Sequence, residues 1–274
     1  MTEAAFIFAA IIGILLGALG GGGSIVTVPV FVYALGVPAK EAIAMSLPVV
    51  GLTSLAGAAS HWRCGHVHMR SALVFGAMAM LGAYAGARAG ALLPAAIQLT
   101  ILGLVMVAAA VSMLRAKVPW RACAPHDDSR AWPRWSWLSA VVAIAIGALT
   151  GLVGIGGGFL FVPALVLLAD VPIHYAVGTS LVVITMNAAA GVTGYSGVVA
   201  IRWSFVLAFA ATASVGALGG AWLAQRTTPR ALRQAFGVVL LVIAALLLYE
   251  NIPWRRPAAV TFEHRAGDSA HDRG

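Results

Sequence analysis

Two glycine-rich runs sit inside long uncharged stretches of the chain, GALGGGGSIVTVP at residues 17–29 and GLVGIGGGFLFVP at residues 151–163. Glycine is a poor residue for a helix interior, so each run predicts a break at membrane depth. A helix that restarts after such a break presents unpaired N–H groups and the positive end of its dipole. That arrangement binds anions without any lysine or arginine.

Small uncharged polar residues close to the two breaks are the natural partners of such an anion, because they donate hydrogen bonds to oxyanion oxygens. The predicted binding residues are Gly20, Gly21, Gly22, Gly23, Ser24, Thr27, Ser46, Thr53, Gly154, Gly156, Gly157, Gly158, Thr179, Ser180 and Asn187. The competing interpretation is helix packing by the glycines and interhelical or back-bonded hydroxyls. If the breaks form the site, leucine at Gly22 or Gly156 should block binding and leave most of the stability intact.

Other chemistries fit the sequence less well. One loop, HWRCGHVH, offers His61, Cys64, His66 and His68 in a spacing that suits zinc or copper, but the other half of the chain has no such cluster. We therefore predict no metal and no cofactor. The glycine runs lack the third glycine of a dinucleotide fingerprint and the lysine of a P-loop. Since the spans contain no buried carboxylate or histidine constellation, we predict no catalytic residues and no enzyme activity.

The surrounding elements are too apolar for a soluble domain: 61% of the 274 residues are hydrophobic, 9% are charged, and the mean hydropathy is +0.95. A helix needs about 20 apolar residues to cross a bilayer. Eight stretches meet that length: 4–35, 38–60, 71–93, 95–114, 136–169, 173–199, 205–225 and 232–249. The sequence predicts an all-α integral membrane protein with about eight transmembrane helices, of which the first and fifth are broken at the glycine runs.

The two glycine runs belong to an internal repeat with an offset of 134 residues, which carries Gly22 onto Gly156 and Ser46 onto Ser180. The predicted organisation is a first four-helix repeat (1–114), a polar linker (115–135), a second four-helix repeat (136–249) and a disordered tail (250–274). Because four crossings is an even number, we expect parallel repeats related by an axis along the membrane normal.

The 17 lysines and arginines divide 12 against 5 between the two sides if all eight stretches cross. The positive-inside rule then puts both termini and the linker in the cytoplasm. If the first and fifth stretches are re-entrant, the division becomes 7 against 10, which is barely a bias. The charge pattern therefore favours eight crossings, and positive-inside sorting explains the net charge of +8 without a nucleic-acid partner.

Both glycine motifs, together with the stretches AVGTSLVVITMNAAAGVTGYSG (176–197) and AIAMSLPVVGLTSLAGAASHWRCG (42–65), resemble the sulfite exporter TauE/SafE family. The resemblance implies a multi-pass inner-membrane permease for sulfite, organosulfonates or related small anions, embedded in lipid and compatible with a homo-oligomer. Position 45 is methionine where the second half has Thr179, so the first-half site is expected to be less polar. The alternatives are an uptake channel for another small carboxylate or anion, and a membrane-embedded redox or metal factor.

Overall fold

The computed structural model describes residues 2–19, 23–63, 65–115, 137–168, 171, 173–224 and 229–251, and every regular element among them is helical. Ten α-helices follow one another: α1 (Thr2–Leu19), α2 (Ser24–Pro29), α3 (Ala39–Arg63), α4 (Met69–Leu92), α5 (Ala95–Arg115), α6 (Trp137–Val153), α7 (Gly158–Leu168), α8 (Ile173–Tyr195), α9 (Trp203–Ala224) and α10 (Pro229–Asn251). A π-helical segment, Val30–Ala34, continues α2. The predicted linker and tail fall almost wholly outside the described residues.

The outer surface of the bundle carries many large apolar side chains. Leu81, Val215 and Leu246 are 64%, 72% and 60% exposed. Exposing so much apolar surface is unfavourable in water, whereas contact with lipid tails carries no such cost. By length and composition, four described helices can cross a membrane: Ala39–Arg63, Met69–Leu92, Tyr175–Tyr195 and Trp203–Gly220. The all-α expectation is confirmed for the described residues, and their apolar helices are those of a multi-pass membrane protein.

Helices α3 and α8 cross near the centre of the bundle and run antiparallel. On one side of the crossing Gly57 of α3 faces Leu181 of α8, and on the other side Leu47 faces Gly191. The residue numbers therefore rise along one helix as they fall along the other. Glycine at these two contacts brings the helix axes close together, because a leucine side chain fills the space that a second side chain would need.

Two further pairs, α1 with α9 and α4 with α6, make the most extensive contacts in the molecule and run parallel. Gly13 packs against the backbone of Ala213, and Gly17, one turn later, packs against that of Ala217. The α4–α6 pair repeats this pattern at the 134-residue offset, with Gly147 against the backbone of Ala79. Small residues at one-turn spacing thus explain why backbones touch directly here.

The prediction of two parallel halves is wrong. At the 134-residue offset α3 and α8 are equivalent helices, and parallel halves would make them run in the same direction. The physical reason is that the chain turns back after α1: Gly23 lies against the backbone of Leu16 and Ile12. The segment 24–38 then returns to the end at which α1 begins. The α1–α2 hairpin therefore starts and finishes at one end, and each half makes an odd number of net passages.

The same geometry overturns the expected position of the linker. The Lys40 ammonium donates to a carbonyl oxygen in the last turn of α4 at 2.6 Å, and Gln98, in the first turn of α5, donates to the Leu152 carbonyl near the end of α6 at 2.7 Å. The start of α3, the end of α4 and the start of α5 hence share one end of the bundle, and α6 runs toward that end. Arg115, which ends α5, and Trp137, which begins α6, lie at the other end.

This arrangement predicts that reporters fused within the 116–136 linker and after Asn251 will report opposite sides of the membrane. The C-terminus returns to the end that holds the N-terminus because α10 runs antiparallel to α5, with Gly103 facing Leu247 and Leu248. Alkaline phosphatase and fluorescent-protein fusions at both positions measure this directly. Two reporters on the same side would restore the even number of crossings and refute the inverted arrangement.

Candidate functional site

The turn between α6 and α7 leaves helical geometry at three glycines. Gly154, Gly156 and Gly157 have φ angles of 78°, 71° and 81°, in the left-handed region that side chains disfavour. The amides of Leu160 and Phe161 both donate to the Gly157 carbonyl, at 3.0 and 3.1 Å, which opens α7. The N–H groups that precede these two have no acceptor within the helix and point out of its N-terminal end.

Gly156 holds this turn in the middle of the bundle. A Cβ at that position would meet a methyl group of Val50 from α3 and lie 3.4 Å from a methyl group of Ile184 from α8. Both neighbours adjoin the crossing point, where the Thr185 hydroxyl lies 3.5 Å from the Gly51 carbonyl oxygen. Since Gly51 and Thr185 are central in their helices, α7 starts about halfway through the bundle.

The expectation that leucine at Gly156 would spare stability is wrong. The positive φ strains any residue with a Cβ, and the Val50 side chain occupies the space that the Cβ would take. A variant at Gly156 therefore reports on folding as much as on binding. Gly22, the equivalent glycine in the first half, lies outside the described residues together with Gly20 and Gly21.

The described part of the first-half break shows a buried half-helix. Gly23 is the residue before α2, and all six residues of α2 are buried, including Ser24 and Thr27 at 0% exposure. The Thr27 hydroxyl has no hydrogen-bond partner among the described residues. A buried hydroxyl without a hydrogen-bond partner lowers the stability of the fold by about 1–3 kcal/mol. A ligand that accepts a hydrogen bond from this hydroxyl would remove that penalty.

Asn187 of α8 adjoins the corresponding start of α7. Its amide nitrogen donates to the Thr150 hydroxyl at 2.9 Å, and that hydroxyl lies 3.0 Å from the Gly147 carbonyl oxygen. The Thr150 methyl packs on the turn, 2.6 Å from where a Cβ of Gly157 would stand. Asn187 is 0% exposed, and its amide oxygen has no partner within the described part of the chain. The Thr27 hydroxyl can therefore donate to an anion, whereas at Asn187 the unpartnered atom is an acceptor and only the second N–H of the amide nitrogen can donate.

The other predicted polar residues already bond to the protein. Ser46 lies 2.6 Å from the Gly154 carbonyl oxygen and ties α3 to the α6–α7 turn. Thr53 and Ser180 donate to carbonyl oxygens four and three residues earlier, both at 2.8 Å. Thr179 accepts from a backbone N–H in the α3–α4 connection at 3.0 Å. Gly158 is buried as the first residue of α7. A binding role for these residues stays a prediction.

The histidine-rich loop does not form a ligand set among the described residues, where no group of three or more His, Cys, Asp or Glu side chains converges. Cys64 lies outside those residues. The His66 ring packs edge-on against Tyr175, with ring centroids 6.1 Å apart. His68 accepts from the Ser71 amide at 3.3 Å through Nδ1 and so caps the start of α4.

Six buried polar residues in the described part of the chain are absent from the predicted set: Ser54, Ser71, Gln98, Ser139, Thr150 and Tyr195. Thr150 is the partner of Asn187, yet Leu16 stands at its repeat-equivalent position, so the repeat gave no signal for it. Ser54 has a buried hydroxyl with no partner among the residues that the structure describes. Gln98 and Tyr195 bond each other at 2.9 Å, and both donate to the Leu152 carbonyl near the end of α6.

Comparison with known proteins points to transporters. A family model described as sulfite exporter TauE/SafE matches residues 5–247. A probable membrane transporter protein of Xylella fastidiosa (strain 9a5c) is 33% identical over 245 residues, which cover 88% of this chain and 92% of that protein. The probable membrane transporter protein YdhB of Bacillus subtilis is 28% identical, with 87% and 96% covered. No solved structure matches the chain.

Proposed function

Because this chain belongs to the sulfite exporter TauE/SafE family, we propose that it carries small oxyanions, sulfite or organosulfonates among them, across the bacterial inner membrane. The relatives named above are themselves described only as probable membrane transporters. The anion is our inference from the chemistry of the two half-helix starts.

The single observation that carries the proposal is the buried Thr27 hydroxyl beside the first of those starts. Thr27 is fully buried, and its hydroxyl has no partner among the described residues. Beside the start of α7, the equally buried Asn187 amide nitrogen carries a second N–H besides the one that it donates to Thr150. The helix dipoles of α2 and α7 direct partial positive charge out of their N-terminal ends. Uncharged donors and dipoles bind an oxyanion while letting it leave again, because no fixed cation holds it there.

The proposed carrier consists of two halves of inverted topology, residues 1–114 and 136–249, with a linker (115–135) and a tail (250–274). Equivalent helices start 134 residues apart at four places: Ser24 and Gly158, Ala39 and Ile173, Met69 and Trp203, Ala95 and Pro229. Inverted repeats support alternating access, since exchanging the conformations of the two halves moves the opening from one end to the other.

Inversion also changes the charge argument for orientation. With the linker opposite the termini, the lysines and arginines divide 7 on the side of the termini against 10 on the linker side. The strong bias that favoured cytoplasmic termini came from counting eight crossings. The proposal therefore fixes the relative sides of linker and termini, and leaves the choice of side to the reporter fusions described above.

Flux in proteoliposomes tests the function and the site together. Vesicles that contain the purified protein should take up sulfite, thiosulfate or a small sulfonate much faster than protein-free vesicles. Uptake of sulfate and acetate is measured alongside for comparison. The Thr27→Val variant should lose at least about tenfold in flux without loss of thermal stability, because removing a buried unpaired hydroxyl is nearly neutral for folding.

Thr100→Val is the matched control, since Thr100 is outside the predicted binding set and its hydroxyl is satisfied by the Ala96 carbonyl at 2.8 Å. It should transport like the wild type. Flux of acetate alone would favour a carboxylate channel over a sulfur oxyanion carrier. No flux of any anion by a stable, monodisperse protein would refute the proposed function, and equal flux in both threonine variants would refute the site.

A further inference from the structure

A cavity of about 580 Å³ opens at the end of the bundle where α1, α3 and α9 begin. Its walls are mostly apolar and include Phe6, Leu35, Val37, Phe205 and Phe209. Its volume falls within the usual range of small-ligand sites, about 300–1,000 Å³. Two charged side chains, Glu41 and Arg202, complete the lining.

The two charges form an ion pair that joins the halves of the molecule. Arg202, directly before α9, lies 3.7 Å from the carboxylate of Glu41 in the first turn of α3. Their side chains are 56% and 36% exposed, so the pair is worth at most about 1 kcal/mol. The guanidinium also stands over the Phe205 ring at 5.9 Å, which fixes its direction toward the cavity.

Aromatic contacts join the wall of the cavity to the first half-helix. Phe31 packs edge-on against Phe205 and Phe209, with centroids 5.7 and 4.9 Å apart. Phe31 follows Thr27 by four residues, about one helical turn. Because Phe205 and Phe209 line the cavity, these three rings connect its wall to the helical segment that carries Thr27.

At the opposite end of the bundle, the described residues do not repeat this ion pair. At the 134-residue offset Glu41 corresponds to Tyr175 and Arg202 corresponds to His68. Tyr175 contacts His66, and His68 caps α4. Phe31 corresponds to Leu165, so the ring cluster is not repeated either. The ion pair therefore has no repeat equivalent, and any role that it has is specific to the end of the bundle where α1, α3 and α9 begin.

We infer that this cavity is the vestibule on the side of the termini, in which Arg202 captures the anion in competition with Glu41. The inference rests on the proposed function. A weak, exposed pair suits the task, because an incoming anion displaces the carboxylate at little cost and leaves again as easily. The apolar walls strengthen the attraction by lowering the local dielectric. A phospholipid headgroup presents the same anionic chemistry, and the experiment separates the two sources.

The test compares Glu41→Gln, Arg202→Gln and Arg202→Lys with the wild type by initial flux against anion concentration, in vesicles of zwitterionic phosphatidylcholine. Removing the competitor should lower KM about threefold in Glu41→Gln. Removing the guanidinium in Arg202→Gln should raise KM about tenfold. It should also make KM less dependent on salt concentration, because salt screens the attraction between the guanidinium and the anion. Arg202→Lys keeps the charge and should recover most of the lost affinity.

Opposite signs for Glu41→Gln and Arg202→Gln are the decisive result. If the pair only joined the halves, both variants would change KM and thermal stability in the same direction, and the inference would fail. If wild-type KM rises on adding anionic lipid while Arg202→Gln is insensitive, the guanidinium also takes lipid headgroups. An Arg202→Gln effect that appears only with anionic lipid would overturn capture of the transported anion. Absence of wild-type flux would instead refute the proposed function.

Discussion

Replacing Asn187 by aspartate is expected to abolish anion flux. The change is nearly isosteric, but it exchanges an amide for a carboxylate at a buried position beside the start of α7. Two like charges about 5 Å apart repel by about 3 kcal/mol at an effective dielectric constant of 20, which is roughly a hundredfold in binding. The loss of the amide donor to Thr150 adds to this. Initial flux in proteoliposomes, measured against anion concentration from well below saturation, measures the effect.

Gln98→Glu is the matched control for a carboxylate buried elsewhere. Gln98 is also a fully buried amide whose oxygen lacks a partner among the described residues. It lies in the first turn of α5, and its nitrogen bonds the Leu152 carbonyl, whereas that of Asn187 bonds Thr150. The control should lower stability and retain flux. If Asn187→Asp transports normally, or if both variants lose flux equally, the site is not beside Asn187.

The sequence predicted breaks at the two glycine runs, but it did not predict the direction of the chain after them. An offset of 134 residues is compatible with parallel and with inverted halves, because a repeat conserves residue order and not direction. Direction depends on whether the residues after Leu19 continue forward or fold back. The contact of Gly23 with Leu16 decides this, and it joins residues too close in sequence for any periodicity to reveal.

The candidate site was predictable in its residue types and only partly in its members. Thr53 and Asn187 are repeat equivalents, so the sequence assigned them one role. In the structure the Thr53 hydroxyl donates to the Val49 carbonyl of its own helix, whereas the longer Asn187 side chain reaches Thr150 on α6. Side-chain length separates the two, and that difference becomes visible only when the neighbouring helix is in place.

The second large effect is expected on stability, at a glycine that lies in the contact between α9 and α1. Gly220 of α9 packs directly on the backbone of Ile14 in α1, where a Cβ would collide with the carbonyl group. Gly219, its neighbour, is exposed, and a Cβ added there would meet nothing within 4 Å. Both glycines sit inside the same helix, so alanine raises helix propensity at both by about 0.5–1 kcal/mol.

Gly220→Ala is therefore expected to destabilise the protein by about 3 kcal/mol or more. Overpacking typically costs about 1–3 kcal/mol, and here the obstacle is backbone, which cannot move aside without separating α1 from α9. Gly219→Ala should match or exceed wild-type stability. Thermal unfolding in detergent and the yield of monodisperse protein measure both. Since the propensity gain is common to the two variants, their difference isolates the helix contact. Equal stability would mean that α1 and α9 do not approach backbone to backbone, and the α1–α2 hairpin would lose the support that holds α2 at the centre of the bundle.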